Sequence, residues 1–176
     1  MGWRKTTFLD IQTLLLSVFP EYTIDMYNNQ FDDWEGGENN ETPLNFPVLL
    51  IEFIGGDWEH DGYQRICPAY FFRLHIGLED MRESYTNSNN QDAALDHLDE
   101  IERIANIFDF STLTYVRELK FIREEIDSSR TMLIEHILDF QGYVVDCSLE
   151  EQRAYDQVKI TQTEQSVDID NSYSIM

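Results

Sequence analysis

Positive charge is scarce in this sequence. Twelve Lys and Arg stand against 34 Asp and Glu, for a net charge of −22 and a pI near 4.2. General wrapping of nucleic acid is thereby excluded, because that binding depends on cations displacing phosphate counterions. The same field opposes an anionic membrane surface. From Thr6 to Gln64 there are twelve acids and no Lys or Arg, which predicts an acidic pole on the folded protein. Arg103, Arg117, Lys120, Arg123 and Arg130 mark a less acidic region later in the chain.

Cysteine is nearly absent too. Cys67 and Cys147 are too few for a disulfide framework and match no zinc-ligand spacing, so buried reduced thiols are expected. There is no long apolar run. Leu14 to Val18 is far too short to span a bilayer and has no small-residue cleavage site beside it, so the reading is a protein that is intracellular when made, without membrane contact.

What the chain does hold is enough apolar material for one core: 42% hydrophobic and 13% aromatic residues in 176. Phe8, Ile11, Leu14, Leu15, Val18 and Phe19 recur at helical spacing, and Thr7 with Asp10 resembles a capping box. A helix over about Thr7 to Phe19, ended by Pro20, is predicted. Tyr22, Ile24 and Met26 alternate as a short strand. Asn28 to Asn45 reads as an exposed acidic loop, and Phe46 to Ile54 as a central strand covered on both faces.

After a loop carrying Trp58, His60 and Gly62, the run Pro68 to Leu78 places Tyr70, Phe72, Leu74, Ile76 and Leu78 on one face and Arg73, His75 and Gly77 on the other. A polar loop, Glu83 to Gln91, leads to a second helix from near Asn90 to Asp109, striped by Ala94, Leu95, Leu98, Ile101, Ile104, Ala105 and Phe108. Tyr115 to Glu125 fits either period. A strand is favoured because Asp127 to Arg130 forms a turn into the alternating Met132, Ile134, His136, Leu138 and Phe140.

The predicted fold is α+β, with an antiparallel or mixed sheet of four to five strands, two helices on one face, and an extended C-terminal tail. Residues 1–147 form one domain. Residues 148–176 form an arm, flexible or ordered by a partner.

Few residues group as chemistry. Glu59, His60 and Asp61 are adjacent and alternate in direction, which opposes convergence on one metal. His75 and His136 sit on predicted strands and would be neighbours if their faces matched, although backbone or carboxylate bonding is the ordinary role of such histidines. Glu118-Leu119-Lys120 has the acid-x-Lys form of some metal-dependent nucleases, and would need Glu52 or Asp57 as a second acid. No phosphate-binding glycine loop, nucleophile elbow or Cys/His pair is present. Neither a catalytic residue nor a cofactor is expected. Trp34, Trp58 and Tyr63, all in predicted loops, are candidate subunit contacts or fold back on their own domain. Tyr155, Val158 and Ile160 are candidates to add a strand to an adjacent subunit.

In its order of elements the chain resembles the phage tail terminator or tail completion proteins and related head–tail joining proteins of the neck. The resemblance rests on the amphipathic segment Phe8 to Phe19, the Phe46-Pro47-led strand to Ile54, the excursion Gly55 to Cys67, the strand Tyr70 to Leu78, the helix Leu95 to Phe108, and the closing pair ending in Met132 to Val145. It covers roughly residues 6 to 146 and is one of pattern and length. The longer acidic loop and the tail beyond Ser148 depart from it.

The resemblance implies a non-enzymatic virion protein in the tail or neck. It implies a homo-oligomeric ring, a hexamer or higher, that contacts portal, neck or tail rings and lets double-stranded DNA pass without specific binding. A carboxylate lining suits such passage, since cations would grip phosphate at every step. Asp32, Asp33, Glu35, Glu38, Glu41, Asp57, Glu59 and Asp61 are the candidate lumen-facing acids, and a merely solvated surface is the plain alternative. An acidic DNA-mimic inhibitor of a host nucleic-acid-binding protein is the competing functional class, and a nuclease the third.

Overall fold

The computed structural model describes residues 2–31, 44–62, 64–79, 91–109, 111–127, 129 and 133–147. Within them α1 (Trp3–Leu16) is followed by β1 (Thr23–Met26), β2 (Val48–Gly55), β3 (Glu59–Asp61), β4 (Gln64–Glu79), α2 (Gln91–Phe108), β5 (Val116–Asp127) and β6 (Leu133–Asp146). The strands form one mixed sheet in the order β1-β2-β4-β6-β5, with β3 paired to β4. Only β1 with β2 is parallel; the other pairs are antiparallel. The fold is thus α+β, with a sixth strand where a loop was expected: Glu59–Asp61 pairs back on Gln64–Ile66 as a hairpin.

α1 begins four residues before its predicted start, with Gly2 as an extended N-cap that makes no side-chain bond. Thr7 and Asp10 are therefore not a capping box. Thr7 lies inside the helix and is buried together with Trp3, Ile11 and Leu15, one residue per turn along a single line. Asp10 accepts a hydrogen bond from the Thr114 N–H at 2.9 Å, which ties α1 to the segment before β5. Trp3 draws the helix start inward, because its ring lies 5.0 Å from Tyr70, 5.5 Å from Trp58 and 6.0 Å from Phe53.

β2 is covered on both faces where it is most apolar. Leu49 and Ile51 join the main core, while Val48 and Leu50 join a smaller cluster with Phe31 and Leu133 on the opposite face. β4 begins earlier than predicted, at Gln64, and passes Pro68 through an irregularity between Cys67 and Tyr70. A bulge is where a strand tolerates a residue without an N–H. Among the described residues of the predicted stripe in α2, Ile101, Ile104 and Phe108 are buried, and Leu95 and Leu98 are half exposed. The second half of this helix covers the sheet, so the stripe's first turns project beyond it.

The double periodicity of β5 has a physical cause. A register shift between Arg117 and Lys120, with Glu118 at φ 53°, inserts an extra residue. Val116 and Leu119, three apart, consequently face the same core. Gly142 of β6 makes room for them, since a Cβ there would stand 2.5 Å from Val116 Cγ1.

Candidate functional site

The two faces of the sheet differ in chemistry. One carries the aromatic core under α1 and α2. On the other face, Glu52 of β2, Arg73 of β4, Asp139 of β6 and Arg123 of β5 stand directly opposite one another in register. They make a row of alternating charge across four strands. Arg73 Nε donates to Asp139 Oδ1 at 2.7 Å and its Nη2 to Oδ2 at 3.3 Å, while Arg123 Nε donates to Oδ2 at 2.6 Å. Glu52 lies 3.9 Å from Arg73. Burial by itself would raise the Asp139 pKa, but the hydrogen bonds from Arg73 and then Arg123 outweigh it and hold the carboxyl below its ordinary value. The bond to Asp139 likewise raises the Arg73 pKa.

Beside this row His75 is buried between two carboxylates. Its Nδ1 is 2.6 Å from Glu135 Oε1 and its Nε2 3.1 Å from Glu52 Oε2. Tyr27 stacks flat on the imidazole, centroids 3.7 Å apart. Two residues beyond His75 comes Gly77, where a Cβ would meet the Phe31 ring at 2.7 Å. The segment that leads into residues 32–43 is thus seated on the polar face by two aromatic contacts. His136 has the opposite orientation. It pairs in register with Ile76, a core residue, and its Nδ1 lies 3.0 Å from Glu124 Oε1. His75 and His136 therefore do not meet, because adjacent register positions point to opposite faces.

The acid-x-Lys arrangement is not assembled. β4 and β6 lie between β2 and β5, so Glu52 is three interstrand spacings, roughly 14 Å, from the Glu118–Lys120 stretch. Asp57 precedes the β3 hairpin, and Glu118 occupies the bulge. Among the described residues no group of three or more His, Cys, Asp or Glu is placed to hold a metal ion. Glu59, His60 and Asp61 are all exposed on β3. Cys67 is buried, and desolvation raises its thiol pKa, which keeps it protonated and unreactive. Burial, followed by the charge of nearby Glu100, raises the Tyr22 phenol well above its usual range. No helix among the described residues is long and apolar enough to cross a membrane.

Of the candidate lumen acids, Asp57, Glu59 and Asp61 are exposed together around the β3 hairpin. Asp32, Asp33, Glu35, Glu38 and Glu41 lie outside the described residues. Their flanks do not: Phe31 and Leu44 pack with Val48, Leu50 and Leu133, near Gly77 at the far end of β4 from the hairpin. Gln64 and Gly77 are about 40 Å apart along that strand. The described flanks of residues 32–43 thus lie toward one end of β4, and the exposed acids Asp57, Glu59 and Asp61 toward the other. Trp58 is turned inward, packed on Trp3 and Tyr70 with the Arg65 guanidinium 5.9 Å above its ring. Trp34, Tyr63, Tyr155, Val158 and Ile160 lie outside the described residues.

The charge row was not among the sequence candidates. Arg73 and His75 stand out as polar members of an apolar strand, and Glu135 and Asp139 alternate in β6, but their pairing depends on register.

The fold defines an α+β protein with a six-stranded mixed sheet carrying both helices on one side. No protein-family model matches the chain, and no curated protein matches it.

Proposed function

We propose that this chain is a structural subunit of a phage virion, one of several copies closing a ring in the tail or at its junction with the head, through which DNA passes. The observation that carries the reading is the charge balance of the surface. Arg65 pairs with buried Asp146, Arg73 and Arg123 clamp Asp139, and Arg4 and Arg103 lie over the rings of Trp3 and Phe19. Meanwhile Asp57, Glu59 and Asp61 face solvent. Lys5, Arg117 and Lys120 are exposed as well, so the field comes from the balance: 34 acids against 12 bases leave a net charge of −22, which repels phosphate, as a conducting channel requires. The order of elements supports the same reading.

Light scattering and particle images of the full chain test it. A closed assembly of six or more copies is expected, together with the chain's presence in purified particles by mass spectrometry. Particles that lack it, or a monomer at every concentration that instead blocks a host DNA-binding protein, overturn the reading in favour of a DNA mimic. Converting Asp57, Glu59 and Asp61 to Lys should make the assembly retain duplex DNA in a salt-dependent way.

A further inference from the structure

β5 closes one side of the sheet, and its outer edge is in two states. Along the first half, the segment after α2 occupies it: the Leu119 N–H donates to the Ser111 carbonyl at 3.2 Å and the Phe121 N–H to Asp109 Oδ1 at 3.0 Å. Along the second half, Ile122 to Asp127, no described strand lies beside it. Two large apolar side chains stand there in the open, Ile122 at 48% and Ile126 at 53% exposure. Glu124 reaches His136 on the helix side of the sheet, and Ile126 is the register partner of His136. Glu124 and Ile126 therefore share that side, with Glu125 on the other, while Ile122 sits at the second register shift of β5, between Phe121 and Arg123. A bare edge with exposed apolar residues is a template for a further strand.

The sequence contains a matching segment. In an extended strand Val158, Lys159 and Ile160 would put two β-branched residues on one side and a cation on the other. Laid against β5 with Lys159 opposite Glu125, they set Val158 and Ile160 opposite Glu124 and Ile126, so that one of the two meets the Ile126 side chain. The chain leaves the sheet after β6, whose Val144 pairs with Val116 at the opposite end of β5 from this open stretch. The segment carrying Asp109 and Ser111 occupies the edge in between, and a chain turning back over β5 from β6 would also run parallel to it, the less favourable pairing. A second copy meets neither obstacle.

We infer that residues 155–160 of one copy add a strand to the β5 edge, Ile122 to Asp127, of a neighbouring copy. This rests on the ring reading and gives it the link between subunits. It is a heterologous contact, each copy using its arm on one side and its edge on the other, which is the kind that closes rings.

The test uses two full-length chains in a Cys147→Ser background, one carrying Glu125→Cys and the other Lys159→Cys, mixed with a short bifunctional maleimide. The comparison pair replaces Glu125→Cys by Glu21→Cys, an exposed site away from the edge. Cross-linking between unlike chains should exceed the comparison pair by at least about fivefold, because docking raises the local concentration of one thiol at the other. A yield equal to the comparison pair overturns the inference. So does cross-linking confined within single chains when one chain carries both Glu125→Cys and Lys159→Cys. Closed rings without the cross-link refute the arm and leave the ring. Cross-linked chains that never close refute the ring and leave the arm.

Discussion

The helix-covered face and the polar face of the sheet share the same strands but have different cohesion. Under α1 and α2, Trp3, Tyr70, Phe72, Phe108 and Phe140 are almost fully buried and pack edge to face, as Trp3 does on Tyr70 and Phe108 on Phe140, or tilted, as Tyr70 does on Phe72. Such contacts depend on area removed from water and tolerate changes in pH and salt. Across the polar face, Arg73, Asp139 and Arg123 are held by short, directional bonds whose strength depends on ionisation. One side therefore supplies bulk stability and the other sets register, since a shift of one residue would place Asp139 in the aromatic core.

The largest effect should come from the aromatic side. Trp3→Ala removes the ring that joins α1 to Tyr70, Trp58 and Phe53, and should cost about 3–5 kcal/mol in urea unfolding. If it costs less than the polar-face variants below, the contrast between the faces is wrong. Asp139→Asn comes next, with a loss of about 2 kcal/mol at neutral pH, because two guanidinium groups lose their shared carboxylate.

The pH dependence sharpens the same comparison. The Asp139 carboxyl is held below its ordinary value in the folded state, so its contribution is complete above about pH 4 and is lost as the pH falls further, through the lowered value. Unfolding measured stepwise from neutral into acid should show a steeper loss for the parent than for Asp139→Asn; equal slopes would remove Asp139 as the cause.

Tyr27→Ala should be milder, about 1 kcal/mol, since it deletes one stack on His75 and leaves Phe31 over Gly77. Proteolysis within residues 32–43 should quicken with it, and an unchanged rate would show that the stack does not hold that segment. Smallest of all, Ile122→Asp with Ile126→Asp should alter monomer stability by no more than about 0.5 kcal/mol, because both side chains already face solvent. A larger loss would place them in the fold instead of at its edge.

Much of the architecture was legible where one physical rule acted alone. Alternation in Tyr70 to Leu78 identified β4 and its buried side, whereas α1 ends at Leu16 with Ser17 as its C-cap, three residues before the predicted end at Phe19 and ahead of Pro20. Errors arose where rules competed. Thr7 with Asp10 imitates a cap, but extending the helix to Trp3 buries an indole, which outweighs one capping bond. The hairpin at Glu59–Asp61 is wholly exposed, so it leaves no hydrophobic period to read. Leu95 and Leu98 match a buried stripe in spacing yet lie beyond the sheet that would cover them. The candidate site was legible only in halves: Arg73 and His75 were visibly polar on an apolar strand, without any sign of their partners.

Composition and periodicity are local or summed properties, and what they determined here is correspondingly general: an acidic α+β chain, the order of its strands and helices apart from the β3 hairpin, and no apolar run long enough to span a membrane. Partnership is not local. That Asp139 meets Arg73, 66 residues away in sequence, and Arg123, and that the two histidines part company, both follow from strand order and register. Those were decided only when the strands aligned, because hydrogen bonding across a sheet brings together side chains with no shared signal in the sequence.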